Sequence, residues 1–215
     1  MRIGILGTGN MADALATHWA RAGHQVVVGG RDLAKARRLA DRIGHRTGAG
    51  DLRTAAEHAE VALLAVPFGA AAALAGTLRD ALAGRTLIDC TNPVGPGFRL
   101  LTAHGPSAAE QVAAAAPEAL VVKAFNLCHE NVWRMDPPVF DGRPLAVPLC
   151  TDHPAALALA SHLTRDLGCT PLAAGPLGNA ALLEATAALF ITLWVGQHAD
   201  AQAVAPPLSH AAGPA

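Results

Sequence analysis

The chain has 215 residues, 52% of them hydrophobic, with 16 basic against 17 acidic side chains and a net charge of -1. A chain of this length buries roughly 70% of the surface that its unfolded form exposes, so a sizeable core is available without disulfide staples. With 15% charged residues there is no basic field for nucleic acid and no polybasic stretch for an anionic membrane, which leaves a small molecule as the expected partner.

Met1-Arg2-Ile3-Gly4-Ile5-Leu6 is strand-like from the start, so no export leader is expected. Apolar runs fall short of about 18 residues, because the longest, near Ala185 to Val195, is followed by Gly196, Gln197 and His198. The expectation is a cytoplasmic protein that does not enter a membrane. Cys90, Cys128, Cys150 and Cys169 lie far apart with no C-x-x-C pair, as buried reduced thiols would.

Short apolar runs alternate with Ala-rich amphipathic stretches, which is the rhythm of a doubly wound parallel α/β sheet. Strands are expected near 2–7, 25–29, 60–66, 85–89, 119–124, 145–150 and 169–173, with a short one near 45–48. Helices are expected near 10–22, 32–43, 51–58, 69–82, 107–116, 153–167 and 178–197. Pro- and Gly-rich stretches at 91–106 and 134–148 read as loops at the carboxyl ends of strands, where open α/β folds bind ligands. A division follows into a Rossmann-type domain over 1–143, a small C-terminal α/β extension over 144–200 and a frayed tail over 201–215.

Gly7-Thr8-Gly9-Asn10-Met11-Ala12 is a G-x-G-x-x-A directly after an apolar strand and before a helical pattern. Gly7 permits the tight turn, and Gly9 lets a pyrophosphate approach the free N–H groups of the helix. The second strand ends in Gly29-Gly30-Arg31 with no carboxylate at its tip. Gly30 leaves room for a 2′-phosphate, Arg31 can bind it in a fork, and Lys35 lies one turn on, so NADP(H) is expected in preference to NAD(H). Asp32 could reach a ribose diol but more naturally caps the next helix. Ser107 with Glu110 forms a capping box.

Leu63-Leu64-Ala65-Val66-Pro67, Asp89-Cys90-Thr91-Asn92-Pro93, Val122-Lys123-Ala124-Phe125-Asn126 and Ala174-Gly175-Pro176-Leu177-Gly178-Asn179 follow in order. With G-T-G-N-M and G-G-R they resemble the coenzyme F420-dependent NADP oxidoreductases. The resemblance implies a homodimer that passes hydride between NADPH and a deazaflavin. It places Thr8, Gly9, Asn10, Met11, Gly30, Arg31 and Lys35 on the phosphates and adenosine end, and Ala65, Val66, Pro67, Asn92 and Pro93 beside the nicotinamide. The chain departs from the family pattern at Gly30 (usually Ser or Thr), Leu127 (commonly Thr) and Ala181 (often Arg).

Candidates for direct chemistry are Lys123, which could orient a carbonyl or satisfy loop carbonyls, Asn126, and His129 within Cys128-His129-Glu130, which could act as a general acid. Trp133 and Met135 could cover a flat ring or anchor their loop. No histidine spacing suggests a metal site. The last helix, apolar over much of its circumference, suits a core position or a subunit contact. An NADPH reductase of an organic imine or carbonyl, and a non-catalytic NADPH sensor, are the alternatives.

Overall fold

A computed structural model describes residues 1–200 and Val204, so the tail expected over 201–215 lies outside the described residues apart from Val204. Six parallel strands, β1 (Arg2–Leu6), β2 (Gln25–Gly29), β3 (Gly48–Gly50), β4 (Val61–Leu64), β5 (Thr86–Asp89) and β6 (Leu120–Lys123), form one sheet in the order β3-β2-β1-β4-β5-β6. The winding direction reverses between β1 and β4, and the carboxyl ends of the strands at such a switch point form a ligand crevice.

Six helices run between these strands: α1 (Asn10–Arg21), α2 (Leu33–Ile43), α3 (Leu52–His58), α4 (Phe68–Thr77), α5 (Arg79–Leu82) and α6 (Ala108–Ala115). After β6 come α7 (Glu130–Trp133), β7 (Val139–Phe140), β8 (Arg143–Pro144), β9 (Ala146–Leu149), α8 (Pro154–Asp166), β10 (Thr170–Ala173) and α9 (Ala180–Ile191). Two cores result, as covering a parallel sheet on both faces requires. One packs Leu15, Trp19, Leu39 and Leu163 on Ile3, Ile5 and Val28. The other packs Ala55, Ala75, Leu82 and Val112 on Leu6, Leu64 and Leu87. A Cβ at Gly4 would stand 2.1 Å from the Ala55 carbonyl oxygen, so α3 crosses β1 at a distance open only to glycine.

The parallel pair β9–β10 joins the main sheet through an antiparallel bridge, where Lys123 and Cys150 exchange backbone hydrogen bonds of 2.9 and 3.1 Å. Indole Nε1 of Trp19 donates to the Leu163 carbonyl at 3.1 Å, tying α8 to α1.

Local geometry shifts several expected boundaries. The helix expected over 69–82 divides at Leu78; just before the break, the Thr77 hydroxyl donates back to the Ala73 carbonyl at 2.9 Å, a bond that bends helices. The strand expected at 45–48 starts only at Gly48, because His45 and Arg46 both have positive φ and form the preceding turn. The loop expected over 134–148 holds the small β7–β8 hairpin, and α7 interrupts the segment after β6. The last helix is longer than its apolar run: with a 3-10 turn before α9 and a π turn after it, the helical stretch covers Leu177–Gly196. By length and composition alone these 20 residues could cross a membrane, and Glu184 is their single charge.

Candidate active site

The turn after β1 is held on both sides. The Gly7 N–H donates to the Gly29 carbonyl and the Ala65 N–H to the Leu6 carbonyl, each at 3.0 Å. Gly7 has φ of 139°, and a Cβ there would meet the Ala65 carbonyl oxygen at 2.1 Å. Gly9 ends the loop as N-cap of α1 with no side-chain cap, and a Cβ added to it would meet nothing within 4 Å. The orphan N–H groups of the first turn therefore face open space on the positive end of the helix dipole. That cradle fits a pyrophosphate.

Around it lies a pocket of about 250 Å³ lined by Gly7, Thr8, Gly9, Gly30, Arg31, Leu52, Ala65, Val66, Pro67, Ala70 and Leu74. The apolar wall from α3 and α4 suits a flat base, and Arg31 stands exposed at the mouth. Beside it, Thr8, Lys35, Arg38, Leu39 and Arg42 line an open basic groove of about 310 Å³. Asp32 accepts from the Lys35 backbone N–H at 3.1 Å, so its carboxylate serves as the cap of α2. Arg42 is engaged by Asp13 at 3.0 Å, while Lys35 and Arg38 share its helix face. The space expected beside Gly30 is filled otherwise: a Cβ there would stand 2.8 Å from the Thr8 methyl carbon. Thr8 and Gly30 thus stand in close contact, and a side chain at position 30 would require the Thr8 side chain to shift.

A second pocket, of about 240 Å³, opens on the other side of the α1 amino end. Its lining comes from Met11, Cys90, Asn92, residues 125–130 and, on α9 and its π turn, Ala187, Ile191, Trp194 and Val195. Asn92 Nδ2 donates to the Asn126 carbonyl at 2.7 Å, and Asn126 Nδ2 donates to Asn92 Oδ1 at 2.9 Å and to the Leu183 carbonyl at 3.2 Å. Phe125, with φ of 59°, turns the chain so that Asn126 meets Asn92; its ring is held edge-on by Trp133 at 5.4 Å and Trp19 at 6.0 Å.

His129 and Glu130 line this pocket as one contact, with Nε2 to Oε2 at 3.1 Å, while His129 Nδ1 accepts the Asn131 N–H. Glu130 Oε1 accepts from Asn10 Nδ2 at 2.9 Å, so a polar chain runs from the glycine turn to the second pocket. Cys128 does not join it: burial raises its pKa to about 11, and Cys90 is likewise pushed to about 12, which keeps both thiols protonated and unreactive.

The structure distributes the expected residues between the two pockets. Ala65, Val66 and Pro67 line the first pocket with Arg31, because β4 adjoins β1; Asn92, one strand further on, lines the second, and Pro93 lines neither. Lys123 is fully buried and lines neither pocket. Its Nζ donates to Asp89 at 2.9 Å, Glu184 at 2.8 Å and the Thr91 carbonyl at 2.5 Å, which uses all three of its donors. Burial pulls its pKa down, and Asp89 and Glu184 overturn that and hold it above the ordinary lysine value. Glu184 also accepts the Ala108 and Ala109 N–H groups, so this network locks α9 onto β5, β6 and the start of α6, where Ser107 and Glu110 form the expected capping box. Trp133 is buried and donates to the Cys128 carbonyl at 3.2 Å, anchoring its loop.

Sequence alone did not single out Arg38, although its spacing of three from Lys35 on α2 carried that signal. The α9 residues had no such signal, since only tertiary packing brings them to the pocket. A larger cavity, about 750 Å³, lies elsewhere, between Phe68 and the 96–106 loop, and touches none of the expected site residues.

A family model described as NADP oxidoreductase, coenzyme F420-dependent, matches residues 2–93. The F420-dependent NADP reductase of Methanothermobacter marburgensis is 34% identical over 210 residues, covering 90% of this chain and 92% of that one. Metalloreductase STEAP3 of Rattus norvegicus is 32% identical over 193 residues, and the match spans 38% of that protein. A crystal structure assigned to an F420-dependent NADP reductase of Arthrobacter sp. FB24 superposes with a TM-score of 0.82 at 26% identity, covering 93% of this chain and 96% of that one.

Proposed function

Because the chain belongs to the family of F420-dependent NADP reductases, an NADP-linked oxidoreductase family, we propose that it passes a hydride between NADP(H) and a deazaflavin of the coenzyme F420 type. One observation carries this reading. Gly9 lines the first pocket and Met11, two residues on, lines the second, so a dinucleotide whose pyrophosphate rests on the α1 amino end reaches into both.

The first-turn N–H groups hold the pyrophosphate, and Arg31 with Lys35 and Arg38 holds the 2′-phosphate. Apolar Leu52, Ala70 and Leu74 take the base. In the second pocket the mutually bonded Asn92 and Asn126 give a rigid polar floor, while Ile191, Trp194 and Val195 offer an apolar wall against which a flat ring can lie. NADP(H) supplies the hydride when bound, and the protein supplies alignment. The balance is NADPH, oxidised deazaflavin and one solvent proton on one side, NADP⁺ and reduced deazaflavin on the other.

The test follows NADPH consumption with a deazaflavin, FMN and a panel of cyclic imines and ketones supplied separately. The proposal expects turnover with the deazaflavin. Turnover of an imine or ketone alone, or NADPH binding with no acceptor consumed, contradicts it.

The same reading makes the protein a homodimer. Leu182, Leu189, Trp194 and Val195 stand 65%, 50%, 40% and 57% exposed along one helical stretch. Glu184 on the other side is buried against Lys123 and α6, so the stretch lies on the protein and offers its bare side to a second copy. Sedimentation is expected to give a dimer that Leu189→Glu converts to monomer. A wild-type monomer at micromolar concentration contradicts this.

A further inference from the structure

At the opposite end of the sheet from both pockets, His24 follows the Gly23 turn and leads into β2, while His162 and Asp166 stand one turn apart on α8. His24 Nε2 lies 2.8 Å from Asp166 Oδ2, and His162 Nε2 lies 3.5 Å from the same oxygen. The three ligand atoms fall within 4.8 Å of one another, the one such group among the described residues. We propose that His24, His162 and Asp166 form a binding site for a divalent late first-row transition cation such as Zn²⁺, which fastens α8 to the amino end of β2.

The geometry is close to what the ion needs. Ligand bonds of about 2.0–2.1 Å in a tetrahedron set donors roughly 3.3–3.4 Å apart, so Asp166 has only to retreat slightly from His24 while the imidazoles close in. The anchor is fixed: the His24 side chain is 8% exposed, its Nδ1 lies 3.1 Å from the Met1 nitrogen, and Nε2 is thereby turned toward Asp166. His162 is the mobile ligand, its side chain 60% exposed, its ring edge-on to His24 at 6.0 Å. Solvent access on that side lets the ion enter and water complete its coordination.

A simple ion pair accounts for less. Asp166 is satisfied by His24 alone, yet the same carboxylate oxygen also faces a second imidazole nitrogen. Two imidazoles and one carboxylate are a donor set for Zn²⁺, Co²⁺, Ni²⁺ or Cu²⁺, whereas Mg²⁺ favours oxygen ligands. The site departs from the expectation of no metal, which is read from the spacing of histidines along the chain; here an H-x-x-x-D pair on α8 is completed by a histidine far away in sequence.

The test titrates ZnCl₂, and MgCl₂ in parallel, into the full untagged chain by calorimetry, with thermal melts and NADPH binding measured on each variant. One equivalent of Zn²⁺ is expected to bind, with Mg²⁺ silent. Zn²⁺ at a hundredfold excess over its Kd should raise Tm by about 5–10 °C. His162→Ala and the bulkier His162→Gln should each weaken Zn²⁺ at least tenfold and remove the Tm rise. Both should keep wild-type NADPH affinity and a metal-free Tm within about 2 °C of wild type, because an exposed pair contributes little. No Zn²⁺ binding by the wild type, equal Mg²⁺ binding, or undiminished Zn²⁺ binding by both variants overturns the proposal.

Discussion

The pocket at Arg31 is assembled from residues 7 to 74, whereas the pocket at Asn92 draws on α1, the ends of β5 and β6, α7 and α9, from Met11 to Val195. The first is shaped by backbone: a glycine with φ of 139°, an uncapped helix start and a strand tip followed by a cation. The second is shaped by side chains, above all the Lys123–Asp89–Glu184 cluster that fixes α9. A binding site for a shared cofactor can therefore stay constant while the acceptor side is remodelled through packing.

The largest expected effect breaks the second region and spares the first. Lys123→Met leaves Asp89 and Glu184 buried without their cation, and urea unfolding should show a loss of about 3–5 kcal/mol. A loss under about 1 kcal/mol would mean that the cluster does not hold α9. Next comes the polar link between the regions. Glu130→Gln keeps the shape but removes the charge shared by Asn10 and His129, and kcat should fall about tenfold, some 1.4 kcal/mol, with the KM for NADPH nearly unchanged. An equal rise in that KM would place Glu130 in the dinucleotide site instead.

The smallest effect concerns α1, which both regions share. His18 is held below its ordinary pKa chiefly by burial, with Asp136 opposing and Arg21 adding to the shift. The unfolded chain then binds more protons, so stability is full above about pH 6.5 and falls as pH drops toward the folded value. Melts from pH 7.5 to pH 5 should decline, and His18→Gln should flatten that decline. An unchanged slope would remove His18 from the account.

The difference between the regions also governs what the sequence discloses. β1, the glycine turn, α1 and Gly30-Arg31 are legible because each local conformation follows from its own residues, as does the Ser107–Glu110 capping box. The burial of Lys123 is not, since it depends on Glu184 arriving from α9. The same holds for α7, a single turn whose cap is His129, and for β3, displaced by the positive φ of His45 and Arg46. Thr8 filling the space beside Gly30 is a contact between two loops that neither segment announces alone.

Steady-state kinetics with NADPH and a deazaflavin varied in turn, on wild type, Arg31→Ala and Trp194→Ala, tests the two-pocket assignment most directly. Arg31→Ala should raise the KM for NADPH about ten- to hundredfold, the loss of a charged hydrogen bond worth about 1.5–3 kcal/mol, and leave the KM for the deazaflavin in place. Trp194→Ala should raise the KM for the deazaflavin by a larger factor than the KM for NADPH, whose nicotinamide end shares that pocket. If Arg31→Ala leaves the KM for NADPH unchanged, or Trp194→Ala raises it in place of the KM for the deazaflavin, the assignment of the two pockets is wrong.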